Sequence, residues 1–446
     1  MAAGSGVGIS YYGSYSLSGG NLTALGPFAV GCYSRGIFRQ TGGHFTATNH
    51  PADTAASPRK RLYVGASNNG DGLFWMSGGK CDVFDDIDCC GGSYAYNSSA
   101  KIIVDGDAVL DVHDSRILMI MLTDGAFGKP HHSYFCLNSG GTVRAEGFCD
   151  FNNLGGAARE NRFVAVSFNG GTFKPSIDKR GVFHCNYRAM NYLPNSGGPY
   201  SVDHVYVYEG GMKIDTDGKT GTYIDSPLEG ATGGGVASIN FAPTTKQSTY
   251  HLPPMVEIIG DGFGAVAAVE WDEKTKNYKG VTIAAPGVNY TWAKAIVRLG
   301  TATLESYVVT NDCTIVQNAN TGSFTKKGEG DLTLAAVNTY GGDTVLAGGV
   351  LRIAANGALP DGSALVPQGG ILEVAAGVTL PSAITVKIQN PDPEVRKYDL
   401  VRFLGGEPET LPTFTVVGEG SDGWIVAARG GRLFAYRPSG MSVILR

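Results

Sequence analysis

The feature that most constrains this chain is a repeated unit in which one strand-like segment leads through Gly-Gly into a second alternating segment. One copy is FRQTGGHFTAT and another is FWMSGGKCDVF, and a weaker copy reads IIVDGDAVLDV. Glycine supplies 65 of the 446 residues and charged residues only 17%, which excludes a disordered chain and a helical bundle. We therefore predict an all-β protein. The first glycines of the copies, with the weaker one included, are Gly19, Gly42, Gly78, Gly106, Gly140, Gly170 and Gly210.

The spacing of these glycines predicts stacked coils. Gly42 follows Gly19 by 23 residues, and in the tail Gly369 follows Gly348 by 21. A little over twenty residues is about one turn of a parallel β-helix or solenoid, and longer spacings indicate the same coil with an inserted loop. Glycine suits the bends because positive φ and close stacking of coils leave no room for a Cβ. We favour the solenoid over the alternatives, a β-sandwich or a propeller array.

The segment GSFTKKGEGDLTLAAVNTYGGDTVLAGGVLRIAANGALP resembles the autotransporter-associated β-strand repeat. The likeness runs in register from Phe324 through the Gly-Gly pair at Gly348 to Pro360, and the earlier Gly-Gly units resemble degenerate coils of the same kind. The resemblance implies a bacterial surface β-helix of the passenger type, serving as stalk, scaffold or adhesive surface. The first twenty residues lack the basic and apolar regions of a signal peptide, so an extracellular or cell-surface location is implied by the resemblance alone.

We predict three regions along the chain. Residues 1–320 are expected to form degenerate solenoid coils with loop insertions, and residues 321–391 the coils of the associated repeat. Residues 392–446 carry short segments with bulky aromatic and arginine residues, and we interpret them as a C-terminal β cap over the last coil.

Charge and cysteine usage limit the partners. The net charge of −5 is mixed along the chain, with no basic patch for nucleic acid, and no stretch has the eighteen or so apolar residues of a membrane-spanning helix. The eight cysteines lack a Cys-x-x-Cys pair, so we expect mostly small buried hydrophobic residues. If disulfides form, the run from Cys81 to Cys90 is the first candidate. We expect a monomer without a cofactor.

The densest polar cluster is KCDVFDDIDCC, which is followed one coil later by DVHDSR. Carboxylates on adjacent coils could form a calcium or acid-base site, whereas the competing interpretation is a solvated acidic loop, which we favour. A zinc site using the nearby cysteines and His113 is disfavoured because vicinal cysteines rarely bind one ion. We place His131 and His132 in an exposed loop. The metal candidates are Asp85, Asp86 and Asp88, with Asp111, Asp114 and Arg116 as their neighbours in this hypothesis.

Aromatic residues in the early units are the candidate ligand surface, because ring faces on a ridged β-surface suit stacking on sugar rings. The competing interpretation is packing of the same rings inside the solenoid, which we favour. The candidate ligand-binding residues are Tyr12, Tyr15, Trp75, Tyr94 and Tyr96.

These observations favour a non-enzymatic, secreted or surface-displayed scaffold or adhesin whose partners are glycans or host and cell-surface components. The alternative is a carbohydrate-active enzyme of the polysaccharide lyase or hydrolase kind, or a glycan-binding module, on the same fold. A third hypothesis is a fragment whose function depends on a longer chain.

Overall fold

The computed structural model describes residues 7–10, 13–48, 62–67, 69–91, 98–122, 131–152, 162–185, 200–240, 252–275, 277–300, 308–389, 391, 394–406 and 408–438. Within these ranges the regular structure is β-strand, with no helix. In particular, no described segment forms a helix long and apolar enough to cross a membrane.

The first group of strands builds the early coils. They are β1 (Val7–Ser10), β2 (Gly13–Leu17), β3 (Asn21–Leu25), β4 (Phe28–Cys32), β5 (Arg35–Thr48), β6 (Leu62–Val64), β7 (Asp71–Val83), β8 (Ile87–Cys89), β9 (Ser99–Val104), β10 (Val109–Asp111), β11 (Ile117–Leu122), β12 (His131–Asn138), β13 (Thr142–Ala145), β14 (Phe148–Asn152), β15 (Arg162–Asn169), β16 (Thr172–Pro175), β17 (His184–Cys185), β18 (Tyr200–Ser201), β19 (His204–Val207), β20 (Met212–Asp215), β21 (Thr222–Ile224) and β22 (Glu229–Gly230).

The remaining strands fall into an inserted group and a tail group. The inserted strands are β23 (Gly234–Ile239), β24 (Leu252–Gly260), β25 (Val266–Asp272), β26 (Asn277–Ala285), β27 (Ala293–Gly300) and β28 (Val308–Gln317). The tail strands are β29 (Phe324–Lys327), β30 (Asp331–Leu334), β31 (Thr344–Leu346), β32 (Val350–Ile353), β33 (Leu365–Pro367), β34 (Ile371–Val374), β35 (Ala383–Lys387), β36 (Lys397–Phe403), β37 (Thr413–Val417), β38 (Ile425–Ala428) and β39 (Arg432–Tyr436).

The early and tail strands form a parallel solenoid, apart from the antiparallel pair β17–β18 and the antiparallel pairs that β39 makes with β36 and β38, and this confirms the predicted fold class. In the early coils a strand before the Gly-Gly bend and one after it pair with their equivalents in the next coil; β5 runs through the bend and pairs with β2 by its first half and β3 by its second. In the tail each turn contributes two strands. Phe324 pairs with Thr344, and Thr344 with Leu365, so a coil there takes about twenty residues, as the glycine spacing predicts.

The interior of the coils is filled by stacked aromatic rings. Phe38 and Phe74, from successive coils, lie with ring centroids 4.9 Å apart and planes 5° from parallel, and Phe45 packs 5.1 Å from Phe38. All three side chains are fully buried. Burial of each ring contributes on the order of 2–3 kcal/mol, so the repeat of large apolar residues at one register stabilises the coil stack.

The Gly-Gly bends act as the sequence predicts. Gly43 has a φ of 71° and Gly79 a φ of 77°. A Cβ on Gly43 would lie 2.6 Å from the carbonyl oxygen of Gly20 in the preceding coil, and one on Gly79 would collide with the carbonyl oxygen of Gly43. Successive corners therefore stack backbone on backbone, which only glycine permits.

Strands β23 to β28 depart from the coil pattern. Strands β23, β28, β27 and β24 form an antiparallel sheet in that order, and β25 and β26 form an antiparallel hairpin. The solenoid continues across this insertion, because Met212 in β20 pairs directly with Phe324 in β29. The sequence predicts only loop insertions into this part of the chain, whereas the structure shows an inserted β unit with its own small core around Val256, Val269 and Val297.

The inserted unit packs against the outward side of the early coils. Trp75 and Cys136 on the coils are buried in one cluster with Met255, Val266 and Ala284 of the insertion. Strands such as β7 are therefore apolar on both faces, since the inner face meets the core and the outer face is covered.

Polar contacts fix the inserted unit on the coils. The Arg39 guanidinium donates a 2.8 Å hydrogen bond to the Glu270 carboxylate. The Gly287 amide donates to the Tyr208 hydroxyl at 3.1 Å. These directed bonds set the position of the insertion over the coils, which apolar contact alone does not.

The tail ends in a change of pairing. Strand β36 continues the parallel stack on β34, but β39 pairs antiparallel with both β36 and β38. The predicted division of the chain at residues 320 and 391 stays a prediction.

The cysteines correct one expectation. Cys81, Cys89 and Cys90 are buried and free, so the run that we expected first to hold a disulfide does not. Burial raises the pKa of all three thiols, and they pack as small apolar residues. Cys149 is disulfide-bonded instead.

Candidate functional site

Two of the three carboxylates predicted as a metal site accept hydrogen bonds from backbone amides, and the third is buried. Asp85 is half-buried and accepts a 2.8 Å hydrogen bond from the Asp86 amide. Asp86 is buried and accepts one at 2.9 Å from the Arg116 amide of the following coil. Asp88 is fully buried in β8. In the described part of the chain these three residues do not bring their oxygens within 4.8 Å of one another.

A different set of three residues nearby does bring its possible metal-ligand atoms close together. Ligand atoms of Asp82, Asp111 and His113 lie within 4.8 Å of one another. The Asp82 carboxylate, which is 5% exposed, accepts hydrogen bonds from His44 at 2.6 Å and His113 at 3.1 Å, and it pairs with Lys80 at 3.0 Å. Burial alone would raise the pKa of Asp82, but the hydrogen bonds from Lys80 and His44 outweigh burial and lower it.

This set is best explained as a charged ladder on the outward side. Asp82 pairs in register with Asp111, and Asp111 with Arg144, whose guanidinium lies 3.1 Å from the Asp111 carboxylate. A cation at Asp82 would have to displace Lys80. The ladder ties successive coils together through ion pairs and needs no metal to satisfy its carboxylates.

Of the five aromatic residues predicted to bind a ligand, the structure describes two. Tyr15 is 40% exposed, but it pairs with buried Phe38 and stacks on that ring at 5.7 Å, so it continues the interior column of rings. Trp75 is 3% exposed, donates from its indole nitrogen to Asp105 at 3.1 Å, and is covered by the Arg39 guanidinium. The packing interpretation fits both residues. Tyr12, Tyr94 and Tyr96 lie outside the described residues.

The candidate functional site is a groove between the early coils and the inserted unit. It has a volume of about 1010 Å³. Its floor is formed by strands β5, β7, β9, β12 and β15. Its wall is formed by the end of β24, the segment that leads into β25, and residues before and in β27. We call this cavity the coil groove. Its floor residues include Arg35, Asp71, Ser99, Lys101, His132, Tyr134, Arg162 and Phe163, and its wall residues include Glu257, Ile259, Phe263, Tyr290 and Arg298.

Both carboxylates that line the coil groove are ion-paired. Asp71 lies 3.3 Å from the Lys101 ammonium, which is 7% exposed. Glu257 accepts a 3.0 Å hydrogen bond from the Arg298 guanidinium. Arg35, in contrast, has no ion-pair partner among the described residues.

Aromatic rings form a continuous patch in the groove. Phe163 stacks on Phe263 at 5.8 Å with planes 15° apart, and Tyr134 lies 5.7 Å from Phe163. Phe263 is 54% exposed, and Tyr33 at the rim is 66% exposed with a φ of 58°. A bulky residue in the left-handed region costs on the order of 1–2 kcal/mol, so the rim turn holds Tyr33 outward at an energetic cost.

The histidine pair corrects another expectation. His131 and His132 lie in strand β12 and not in a loop. His131 is 2% exposed, and burial lowers its pKa to about 4. His132 is exposed to solvent in the groove, but the protein around it removes part of its hydration, and this lowers its pKa. The positive charge of Lys101 lowers the pKa further, and the negative charge of Glu257 acts in the opposite direction. His132 is therefore neutral at neutral pH.

Most of the groove was not visible in the sequence. Its wall comes from residues far along the chain from its floor, and no local motif joins them. The one local signal was the alternation of side chains along each strand. Together with the strand pairing, which the structure supplies, it puts one residue from each of five successive strands side by side: Arg35, Asp71, Ser99, His132 and Phe163.

Comparison with known proteins adds one finding. Residues 324–353 match the passenger-associated-transport-repeat family. The match covers strands β29 to β32, about one and a half turns of the stack, and confirms the predicted resemblance of this segment to an autotransporter passenger repeat. No curated protein and no solved structure matches the chain.

Proposed function

We propose that this chain is a non-enzymatic passenger: a secreted or surface-displayed β-solenoid that holds the inserted β unit and the coil groove at fixed positions along a stiff rod. The observation that carries the proposal is the passenger-associated repeat at residues 324–353. That repeat is continuous in register with the coils on both sides, since β29 pairs with β20 and β32 with β34.

The fold suits a scaffold mechanically. Parallel pairing from coil to coil makes each turn rest on the last, and the core runs unbroken through the stack. The inserted unit is fixed to the coils by buried apolar contact and by the Arg39–Glu270 pair. Such a stack displays a binding surface without a conformational change.

Two further observations support the proposal. Asp71 and Glu257 are each held by a cation, an arrangement that suits orientation of a ligand better than proton transfer, for which a carboxyl group has to exchange its proton freely. The disulfide at Cys149 is of a kind that persists in oxidising compartments outside the cytosol.

Location is the direct test. Antibodies raised against the purified chain are expected to label intact cells of the source organism, and external protease should remove that label. Antibodies against a cytosolic protein provide the control and should label only lysed cells. Labelling of this chain that also requires lysis would refute the proposal.

The absence of catalysis is tested separately. The purified chain is incubated with acidic and neutral polysaccharides, and reducing ends and unsaturated products are measured. We expect no turnover above a heat-denatured sample. Turnover that is lost when Glu257 or Asp71 is replaced by the amide would favour the carbohydrate-active alternative.

A further inference from the structure

We infer that the coil groove binds an anionic oligosaccharide as an extended chain. This inference deepens the proposed function by naming a ligand class, and it is tested on the purified chain, so that its failure and a failure of surface location are separate results.

The shape of the groove favours an extended ligand. One register of the floor carries Arg35, Asp71, Ser99, His132 and Phe163 on five successive strands, all of which line the groove. Neighbouring strands lie about 4.8 Å apart, so the floor runs for about 19 Å along the solenoid axis. A ligand that follows this floor meets a new side chain at every coil.

The charge of the groove favours an anion. Two carboxylates line the groove, and both are already neutralised by a cation. Arg35 remains without an ion-pair partner among the described residues. Among the described residues the lining of the groove is thus locally positive, whereas the whole chain carries a net charge of −5. Lys101 and Arg298 hold these two acids, and Arg162 is ion-paired with Asp203 at 3.0 Å, so the unbalanced positive charge is that of Arg35. The lining cations are Arg35, Lys101, Arg162 and Arg298, and the lining acids are Asp71 and Glu257.

The exposed rings and hydroxyl groups favour a sugar. Tyr33 and Phe263 present ring faces to solvent, and Phe263 is supported from behind by Phe163. The C–H face of a pyranose packs on such rings, while Ser99 lines the groove with a hydroxyl group that can bond to a sugar hydroxyl.

A peptide is the weaker candidate. Peptides that bind a sheet commonly add a strand to a free edge. The floor strands β7, β9 and β12 are each paired on both sides, so the floor offers side chains and not free backbone groups. Strand β24 in the wall is the last strand of its sheet, and an acidic peptide is therefore the comparison ligand in the test.

The test measures binding by calorimetry. The probes are hexagalacturonate and a heparin hexasaccharide, with maltohexaose as the neutral sugar and hexaglutamate as the peptide. We expect both acidic sugars to bind, with affinity falling as salt is raised, and at least tenfold weaker binding of the neutral sugar and the peptide. Equal binding of maltohexaose, tighter binding of hexaglutamate, or no binding of either acidic sugar would overturn the inference.

Two independent variants locate the site. Arg35→Gln is expected to weaken acidic-sugar binding about tenfold, as for loss of a hydrogen bond to a charged group. The control Arg429→Gln removes the same charge from an exposed turn and should bind as the unaltered protein does. Tyr33→Ala should weaken binding several-fold and Tyr33→Phe should not. Circular dichroism confirms folding of each variant. Binding unchanged in both Arg35→Gln and Tyr33→Ala would place the ligand elsewhere and refute the inference.

Discussion

Replacement of Lys326 by methionine should test what holds the passenger repeat together. Lys326 lies in β29 and is fully buried. Its ammonium donates hydrogen bonds to the carbonyl oxygens of Lys327 at 3.1 Å, Gly328 at 2.7 Å and Gly348 at 2.9 Å. Gly348 belongs to the next coil, so one buried ammonium joins the corners of two turns.

The expected loss is the balance of two effects. Burial lowers the pKa of Lys326 from 10.5 to about 8, against the opposing effect of nearby Asp215, and removing the ammonium would recover about 3 kcal/mol. Methionine, however, leaves three corner carbonyls without a donor, and each costs about 2 kcal/mol, the middle of the usual range. We therefore expect Lys326→Met to lower the free energy of unfolding by about 3 kcal/mol.

The assay is urea unfolding followed by circular dichroism across pH. The folded pKa lies below the unfolded one, so between pH about 8 and 10.5 the unfolded chain binds more protons at this residue, and its contribution makes stability rise with pH. The Lys326→Met protein should lack this rise of stability with pH. The matched control is Lys327→Met, because the Lys327 side chain is 43% exposed and its only ion pair within the described ranges, with Asp215, is 4.0 Å long.

Two outcomes would refute this reasoning. One is a Lys326→Met protein as stable as the Lys327→Met control. The other is an identical dependence of stability on pH in the two variants, which would mean that the buried ammonium is not the group that titrates.

Three further predictions concern the corners, the core and the insertion. In thermal unfolding, Gly349→Ala should lower the free energy of unfolding by at least about 2 kcal/mol more than Gly362→Ala does. Both glycines have a positive φ, but only at Gly349 would a Cβ collide with the preceding coil. Equal losses of stability in the two variants would refute this steric reason. The free energy of unfolding should fall by up to about 3 kcal/mol as the pH drops from 6.5 to 4, because His131 stays neutral in the folded protein while the same residue takes up a proton in the unfolded chain. The His131→Leu protein should show a flatter dependence of stability on pH. An unchanged dependence in that variant would contradict the prediction. A double-mutant cycle on Arg39→Ala and Glu270→Ala should give a coupling energy of about 1 kcal/mol in urea unfolding, and additive losses would show that the pair does not anchor the insertion.

The coil architecture could be predicted because its signals are local. Phe38 and Phe74 recur at the same place before their Gly-Gly pairs, and Gly43 and Gly79 occupy bends that only glycine can adopt. Each coil repeats the same short-range requirement, so a single sequence shows it many times. The passenger repeat at residues 324–353 is the least interrupted copy, and it was recognised for that reason.

The positions of individual side chains were harder to predict. Trp75 was a candidate for an exposed ring, and the structure buries it beneath Arg39 and the inserted unit. A strand that is apolar on both faces shows that something covers its outer side, but not what does so. His131 and His132 were expected in a loop, because a strand that follows Gly-Lys-Pro carries no early signal of its own.

By itself, then, the sequence determined that this chain stacks into coils, where the coils turn and which segment belongs to a passenger repeat. These properties depend on backbone φ, on the absence of a Cβ and on alternation along one strand, all of which are written within about twenty residues. The tertiary structure alone decided that strands β23 to β28 fold back over the early coils, and so that Arg35 and Phe163 line one groove with Glu257 and Phe263. That arrangement depends on contacts between residues 100 or more positions apart, such as Phe163 with Phe263 and Arg39 with Glu270, and no local pattern carries them.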